Sequence, residues 1–236
     1  MVEGALARVR AVLFDVDGTL YAQLPLRLAM ACEMAIASMS LQGQARRDLH
    51  RVLAFRRLRE DLRDRPSHVE PLVQRQYSVV SEQLQCSVAE VETAVAEWIY
   101  RRPAKWLRYC RRPGLEPLLD FLAGRGISCG VFSDYPASEK ITALGLDGRF
   151  DVVMSAVDNE IGAFKPDARG FLAAARRWNL SAGQVLYVGD RADVDAAGAA
   201  AAGMPCAVLT RARGRRDGFL AIRGFKELQR VLNRNL

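Results

Sequence analysis

An α/β fold is predicted for this chain: a parallel sheet with helices on both faces, plus a smaller domain made only of helices. Short apolar runs alternate with helical segments in the second half of the sequence, as in sheets whose crossovers are helices. A long segment of helical periodicity without a convincing strand precedes that half. The 236 residues suffice for both domains. We expect residues 1–20 and 113–236 to form the sheet domain and 21–112 the helical domain.

The first predicted strand is the apolar run Ala11–Phe14, which leads directly into two carboxylates, Asp15 and Asp17. A buried strand that ends in two charges is costly unless those charges meet a cation. Residues two apart on an extended chain point the same way, and ligands of open α/β sheets lie beyond the carboxyl ends of the strands. Gly18 permits a tight turn, and Thr19 adds a hydroxyl and an amide. This stretch therefore predicts a ligand site.

The inserted segment carries apolar residues at helical spacing from about Pro25 to Arg102. Breaks between helices are predicted at Gly43 and Pro66, because both residue types interrupt helical periodicity. Ser87 is predicted to be the N-cap of a helix over Val88–Tyr100. We therefore expect several consecutive helices here and no strand.

A cluster of arginines lies in and after the second of these helical segments, and acidic residues alternate with it. Such alternation is typical of a solvated helix face. The alternative is that some of these arginines line a substrate entrance. The cluster consists of Arg46, Arg47, Arg51, Arg56, Arg57, Arg59, Arg63 and Arg65.

Beyond Pro113 strands and helices alternate, punctuated by glycine and proline. The predicted strands are Ile127–Phe132, Phe150–Ser155, Val185–Val188 and Cys206–Leu209. The predicted helices are Glu116–Gly124, Ala137–Leu144, a segment that ends near Trp178, Ala192–Ala202 and Gly224–Leu232. This order predicts a parallel sheet with helices on both faces.

Composition narrows the class of protein further. The net charge is +7, but the basic residues are spread among acids, so no nucleic-acid partner is predicted. No apolar run approaches the ~20 residues of a membrane span, and the N-terminus lacks the pattern of a secretory signal. We therefore expect a cytoplasmic protein without a membrane partner. Five cysteines without a C-x-x-C pair predict neither a disulfide framework nor a zinc site. A homo-oligomer remains open.

Polar side chains follow several predicted strands. Asp15 and Asp17 follow the first, Ser133 follows the second along the chain, and Asp190 follows a later one, while Lys165 precedes a helix. Taken singly, Ser133 fits a helix cap and Lys165 an exposed loop residue. Because the carboxyl ends of parallel strands meet at one edge of a sheet, their order favours a common site.

These residues resemble the four motifs of the haloacid dehalogenase-like superfamily of phosphoryl-transfer enzymes. Asp15-Val16-Asp17-Gly18-Thr19 is similar to the first motif, D-x-D-G-T. Ser133 is similar to the second motif, and Lys165 in Phe-Lys-Pro-Asp to the third. Gly189-Asp190, followed by Asp195, is similar to the fourth, G-D-x-x-x-x-D.

The resemblance covers the chain from about Arg10 to Leu20 and from Pro113 to the C-terminus. It implies a Rossmann-like core domain. The helical insert falls where phosphoglycolate phosphatase-like members of the superfamily carry a helical cap domain, so the resemblance implies that residues 21–112 form a cap.

The resemblance also implies roles for the acidic residues. Mg²⁺, which prefers oxygen ligands, would be held by the Asp15 carboxylate, the Asp17 backbone carbonyl and Asp190. Asp15 would be the nucleophile that forms an aspartyl-phosphate, and Asp17 the general acid and then the general base. Asp195 would orient waters or Lys165, or join the metal shell. Lys165 would hold the nucleophile and the phosphate together.

Phosphate binding is implied for Thr19, Ser133, Lys165 and backbone amides at the start of the following helix. Thr19 would also set the turn that positions Asp17. Asp134 belongs to the same phosphate-binding segment, where many relatives carry Asn. A carboxylate that points towards a phosphate is unfavourable. We therefore expect Asp134 to cap the next helix or to face away.

The predicted function is Mg²⁺-dependent hydrolysis of a small phosphate ester under a mobile cap that excludes water. Asp17 favours phosphoryl chemistry, because the haloacid dehalogenases themselves lack this second aspartate. A phosphomutase that uses the same aspartyl-phosphate is one alternative, and a catalytically silent binding protein is another. Phosphonate cleavage is disfavoured, because Lys105 is the only lysine between Leu20 and Pro113.

Overall fold

The computed structural model describes residues 6–40, 43–64, 71–211, 215–216 and 218–235. Its sheet has seven strands in the spatial order β3-β2-β1-β4-β5-β7-β6. In chain order they are β1 Ala11–Phe14, β2 Ser128–Ser133, β3 Val152–Ser155, β4 Val185–Gly189, β5 Cys206–Leu209, β6 Arg215–Arg216 and β7 Phe219–Ile222. Every neighbouring pair is parallel except β6 and β7. The predicted α/β class is confirmed.

The described α-helices surround this sheet or form the insert. In chain order they are α1 Gln23–Ser40, α2 Gln44–Asp64, α3 Leu72–Leu84, α4 Val88–Val95, α5 Arg102–Leu107, α6 Leu115–Ala123, α7 Ser138–Ala143, α8 Arg169–Arg177, α9 Ala197–Ala202 and α10 Phe225–Asn235. Membrane-spanning length and hydropathy do not coincide in any described helix. The chain divides into two compact units: a sheet unit that runs to Ala22 and resumes at Arg111, and a helical unit, Gln23–Cys110.

The centre of the sheet is β1, whose four apolar side chains are all fully buried. Phe14 is in register with Val131 of β2 on one side and Val188 of β4 on the other. The chain moves outwards from β1 to β3, then returns past β1 to β4 and continues to β5. With right-handed crossovers, this reversal places helices on both faces and opens a crevice between β1 and β4.

The sheet unit is packed through close helix–sheet contacts between aromatic rings. The ring of Phe171, on α8, lies 5.3 Å from that of Phe132 and 4.6 Å from that of Tyr187. Gly170 makes this approach possible, because a Cβ there would lie 2.0 Å from Cζ of Phe132. The helix is thus held against the strands whose ends carry the polar residues.

Two features of the sheet unit differ from the sequence prediction. Strands β6 and β7 were not predicted: β6 has only two residues, and β7, although apolar over four residues, follows an arginine-rich stretch without a strand pattern. The predicted helix over Ala192–Ala202 begins instead with a π-helical turn, Ala192–Ala196, and becomes α-helical only at Ala197. This turn contains Asp195.

The N-cap predicted at Ser87 in the helical unit is confirmed. Ser87 accepts the backbone N–H of Glu90, whose carboxylate accepts that of Ser87, as a capping box requires. The predicted helix over Val88–Tyr100 is α-helical to Val95 and continues as the π-helical segment Ala96–Arg101. The break predicted at Pro66 lies outside the described residues.

The arginine cluster is only partly a solvated face. Its exposed members are Arg46, Arg47, Arg56 and Arg57. For two others the solvated interpretation is wrong, because Arg51 and Arg59 are 6% and 2% exposed. Arg51 donates to Asp48 at 3.1 Å and contacts Glu90, while Arg59 donates to Gln76 at 3.1 and 3.3 Å. The contact of Arg51 with Glu90 joins α2 to α4, and the buried pair of Arg59 and Gln76 joins α2 to α3. Arg65 lies outside the described residues.

Candidate active site

Asp15 lies directly beyond the end of β1 and is 5% exposed. Its Oδ1 accepts Nζ of Lys165 at 2.7 Å, and its Oδ2 accepts the hydroxyl of Thr19 at 2.8 Å. Burial raises the pKa of Asp15 well above its usual range, the charge of Lys165 opposes this, and the nearby carboxylates raise the pKa further. The geometry brings the predicted nucleophile and the motif-three lysine into direct contact.

Lys165 donates to three acceptors from a position that is 2% exposed. Its Nζ lies 2.7 Å from Asp15, 2.7 Å from Oδ1 of Asp195 and 3.0 Å from the hydroxyl of Tyr187. Burial would lower the pKa of this ammonium, but the charges of Asp15 and Asp195 outweigh burial and raise it well above its usual range. Lys165 therefore stays positively charged inside the site.

Asp195 connects Lys165 to the loop after β4. While Oδ1 accepts Lys165 and Tyr187, Oδ2 accepts the backbone N–H groups of Asp190 and Arg191, both at 3.0 Å. A Cβ on Gly189 would lie 2.4 Å from Cγ of Asp195, so glycine is needed for this close approach. Of the alternatives left open for Asp195, contact with Lys165 is present.

Asp15, Asp190 and Asp195 form an acidic cluster in which one carboxylate oxygen from each lies within 4.8 Å of the others. Burial, followed by the charge of Asp195, raises the pKa of Asp190 to about 6. Three carboxylates beside the cations Lys165 and Arg112 still leave excess negative charge in this place. Hard oxygen donors with unbalanced charge fit a divalent cation such as Mg²⁺.

Asp17 is held by three other side chains. Its carboxylate accepts Nζ of Lys140 at 2.5 and 2.7 Å, the hydroxyl of Tyr21 at 2.5 Å and the hydroxyl of Ser133 at 3.1 Å. Burial pushes the pKa of Asp17 up, but the charge of Lys140 and these hydrogen bonds bring it below its usual value. The structure thus brings Asp17 together with the predicted motif-two serine.

The segment after β2 orients two predicted residues. Ser133 donates to Asp17 and also accepts the N–H of Tyr135 at 3.1 Å, so its cap-like role coexists with a place in the site. Asp134 accepts the backbone N–H of Lys165 at 3.0 Å. Of the two alternatives expected for Asp134, capping of the next helix is wrong, since α7 begins without a side-chain cap. Its carboxylate instead fixes the lysine loop.

Four residues of the site were missed from sequence: Tyr21, Arg112, Lys140 and Tyr187. Arg112 donates through Nε and Nη2 to the carbonyl of Gly18, at 2.9 and 2.6 Å. No motif marks them, because each is one polar residue in otherwise ordinary helix, strand or linker sequence. The one signal available for Lys140 was the rarity of lysine, since the chain has only four lysines.

Comparison with models of known protein families agrees with this arrangement of motifs. The model of the haloacid dehalogenase-like hydrolases matches residues 9–203, which include all four motif positions and the helical unit. This chain belongs to the haloacid dehalogenase-like hydrolases.

A sequence relative and two solved structures extend that result. This hydrolase is 31% identical over 212 residues to a glyceraldehyde 3-phosphate phosphatase of Methanopyrus kandleri, covering 87% of this chain and 85% of the relative. It superposes on a HAD phosphatase of Thermococcus onnurineus with a TM-score of 0.63, at 25% identity and over 95% and 98% of the two chains. The prediction of a haloacid dehalogenase-like phosphatase is confirmed.

A 2-haloacid dehalogenase of Pseudomonas syringae pv. Tomato DC3000 is similar in fold, with a TM-score of 0.64 and 24% identity. The two chains are covered to 96% and 99%. At this identity the likeness establishes a shared fold only.

Proposed function

We propose that this phosphatase hydrolyses a small phosphorylated metabolite through an aspartyl-phosphate on Asp15, with Mg²⁺ as its cofactor. The observation that carries the proposal is the buried contact of Lys165 with both Asp15 and Asp195, at 2.7 Å each. A permanently charged lysine against the nucleophile is suited to hold a dianionic phosphate beside an anionic oxygen.

The Asp15 and Asp190 carboxylates and the Asp17 backbone carbonyl would hold the Mg²⁺ ion. When bound, the ion supplies positive charge that offsets the repulsion between the carboxylate nucleophile and the phosphate. Asp195 acts beside this set. Because its two oxygens already accept Lys165, Tyr187 and two backbone amides, it positions the lysine and the Asp190 loop.

The chemical step begins when an oxygen of Asp15 attacks phosphorus in line and the ester oxygen leaves with a proton from Asp17. In the second step Asp17 takes a proton from water, the water oxygen bonds to phosphorus, and the Asp15–phosphorus bond breaks. Inorganic phosphate and an alcohol are released. Thr19 orients Asp15, and Ser133 with the amides that follow it binds phosphate oxygens.

The helical unit acts as the cap and selects the substrate in this proposal. The relative from Methanopyrus kandleri is named for glyceraldehyde 3-phosphate. Triose phosphates and other short sugar phosphates are therefore the first substrates to examine, followed by phosphoglycolate and longer phosphate esters.

The test is release of inorganic phosphate from a panel of such esters, with Mg²⁺ and with EDTA. We expect at least one ester to be hydrolysed only with Mg²⁺, and Asp15→Asn to lower kcat by at least about 10⁴-fold while its circular dichroism stays native. Absence of Mg²⁺-dependent turnover across the panel would contradict the proposal. A phosphoryl group retained on a second hydroxyl of the substrate would identify a mutase instead.

A further inference from the structure

The hydroxyl of Tyr187 has two charged partners, although the side chain is fully buried. Tyr187 belongs to β4, and its ring lies 4.6 Å from that of Phe171 on α8. The hydroxyl accepts Nζ of Lys165 at 3.0 Å and donates to Oδ1 of Asp195 at 3.1 Å. Because packing holds the ring, the hydroxyl has a fixed position between the lysine and the carboxylate.

The N–H groups of Lys165 are all engaged by the protein. An ammonium offers three N–H donors and no acceptor, and Cε occupies the fourth tetrahedral direction. Nζ lies 2.7 Å from an oxygen of Asp15, 2.7 Å from an oxygen of Asp195 and 3.0 Å from the hydroxyl of Tyr187. In the proposed function, on which this inference rests, Lys165 also binds phosphate. A phosphate oxygen therefore bonds to Nζ only in place of one of these acceptors.

The bond from Lys165 to Tyr187 is the weakest of the three. Its acceptor is neutral, whereas the bonds to Asp15 and Asp195 join opposite charges and are shorter. Nζ, the Tyr187 hydroxyl oxygen and Oδ1 of Asp195 form a nearly equilateral triangle with sides of 3.0, 3.1 and 2.7 Å. The angle of this triangle at Nζ is far narrower than the angle between two N–H bonds of an ammonium, so the longer bond, to Tyr187, is bent. Tyr187 is therefore the partner that a phosphate oxygen displaces most easily.

We propose that Tyr187 is a positioning residue that holds the third N–H of Lys165 in the free site and yields it to a phosphate oxygen. When the phosphate oxygen takes that N–H, the hydroxyl of Tyr187 keeps its own bond to Asp195, so the buried hydroxyl proton still has an acceptor. After hydrolysis the hydroxyl accepts the N–H again as inorganic phosphate leaves. Tyr187 therefore lowers the affinity of the site for phosphate and favours release of the product.

Tyr187→Phe separates this role from a merely structural one, because it keeps the ring and removes only the hydroxyl. In the free variant one buried N–H of Lys165 loses its acceptor, and a bound phosphate oxygen supplies a new one. Inorganic phosphate should therefore bind about three- to tenfold more tightly to the variant than to the native chain. A tyrosine that only supports Lys165 and Asp195 predicts the opposite, since the variant would then bind phosphate no better or more weakly.

The first test is isothermal titration calorimetry of the whole protein with inorganic phosphate in the presence of Mg²⁺. Tyr77→Phe is the matched control: Tyr77 is half-buried on α3, where its ring stacks on that of Phe55 at 5.4 Å, and its variant should bind phosphate with native affinity. Equal or weaker binding by Tyr187→Phe than by the native chain would overturn the proposal. So would a native chain that binds no phosphate, or a Tyr77→Phe variant that gains affinity to the same extent.

The second test is urea unfolding of the native chain and Tyr187→Phe, with Mg²⁺, without phosphate and with saturating phosphate. The variant should be less stable without phosphate, and the difference should shrink when phosphate binds, because tighter binding stabilises the variant more. On an ester that the enzyme hydrolyses, KM should fall while kcat does not rise. An unchanged stability difference or a raised KM would contradict the role of Tyr187. Binding and unfolding need no turnover, so they test this inference even if the phosphate-ester panel fails.

Discussion

The balance of charge around Lys165 determines the protonation and metal-binding properties of the neighbouring carboxylates. One ammonium, 2% exposed, contacts Asp15 and Asp195, while Asp190 lies beside them and is influenced by the charges of Lys165 and Arg112. Burial and mutual repulsion therefore raise the pKa values of Asp15 and Asp190. A site of this kind gains stability from a divalent cation, and that gain is the physical reason to expect metal dependence.

A second lysine, Lys140, balances the charge of Asp17, and its replacement tests whether such a buried pair matters for stability and activity. Lys140→Met removes the ammonium that donates to both carboxylate oxygens of Asp17, at 2.5 and 2.7 Å, and leaves Tyr21 and Ser133 as donors. We expect the free energy of unfolding to fall by about 2 kcal/mol, because a buried ion pair loses one partner. We also expect kcat to fall at least tenfold, because Asp17 is no longer held in place.

Urea unfolding and initial rates measure the two effects of Lys140→Met. Lys226→Met is the matched control, since Lys226 is exposed and its loss changes the net charge equally. If both variants behaved alike, Lys140 would have no special function at Asp17.

At the scale of the element, the loop between β4 and the π-helical turn is the most constrained part of the site. It depends on Gly189, where a Cβ would lie 2.4 Å from Cγ of Asp195. Moving Asp195 would disturb its bonds to Lys165 and to the amides of Asp190 and Arg191. The close approach of Gly189 and Asp195 therefore fixes the positions of both the loop and Lys165.

Gly189→Ala should lower the free energy of unfolding by about 2–3 kcal/mol through overpacking, and should weaken Mg²⁺-dependent activity at least tenfold. Thermal unfolding and Mg²⁺ titrations of the rate provide the measurements. Gly183→Ala is the control, because a Cβ at Gly183 meets nothing within 4 Å. An active Gly189→Ala variant with native stability would show that the loop tolerates displacement of Asp195.

Elements with strong local patterns were predictable from sequence, and those set by distant partners were not. The runs at Ala11–Phe14 and Val185–Val188 are apolar throughout, which marks buried parallel strands. Strand β7 is as short and as apolar as β1, but the arginine-rich sequence that precedes it shows no strand pattern. Arg59 alternates with acids in sequence, yet is buried by its pairing with Gln76 on another helix.

The residues of the candidate site likewise divide into those that local sequence predicts and those that are placed by distant partners. Motif spacing placed Asp15, Lys165, Ser133 and Asp190 at one edge, because strand ends meet there whatever the sequence between them. Lys140 reaches Asp17 from a helix 123 residues away in sequence, and nothing local indicates that contact.

At the scale of the whole molecule, the chain consists of a sheet unit interrupted by the helical unit Gln23–Cys110. Tyr21 and Arg111 form an antiparallel bridge where the sheet unit is interrupted. The two points at which the chain leaves and re-enters the sheet unit are thus adjacent. Every motif residue belongs to that unit. This arrangement predicts that the sheet unit can be closed on itself.

Joining Ala22 to Arg111 through a short glycine linker should give a folded sheet unit that hydrolyses p-nitrophenyl phosphate with Mg²⁺. The rate on the best metabolite should fall at least tenfold, because the proposed cap is absent. Circular dichroism and steady-state kinetics measure both. An unchanged rate on the metabolite would contradict the role of residues 23–110 as a cap.

The most direct test of the central claim, that the buried Asp15–Lys165 pair carries phosphoryl transfer, is a rapid acid quench with ³²P-labelled substrate and peptide mapping. We expect a hydroxylamine-labile phosphoryl group on the peptide that contains Asp15, formed with Mg²⁺ and absent from Asp15→Asn. Label on any other residue, or full turnover by Asp15→Asn, would contradict it.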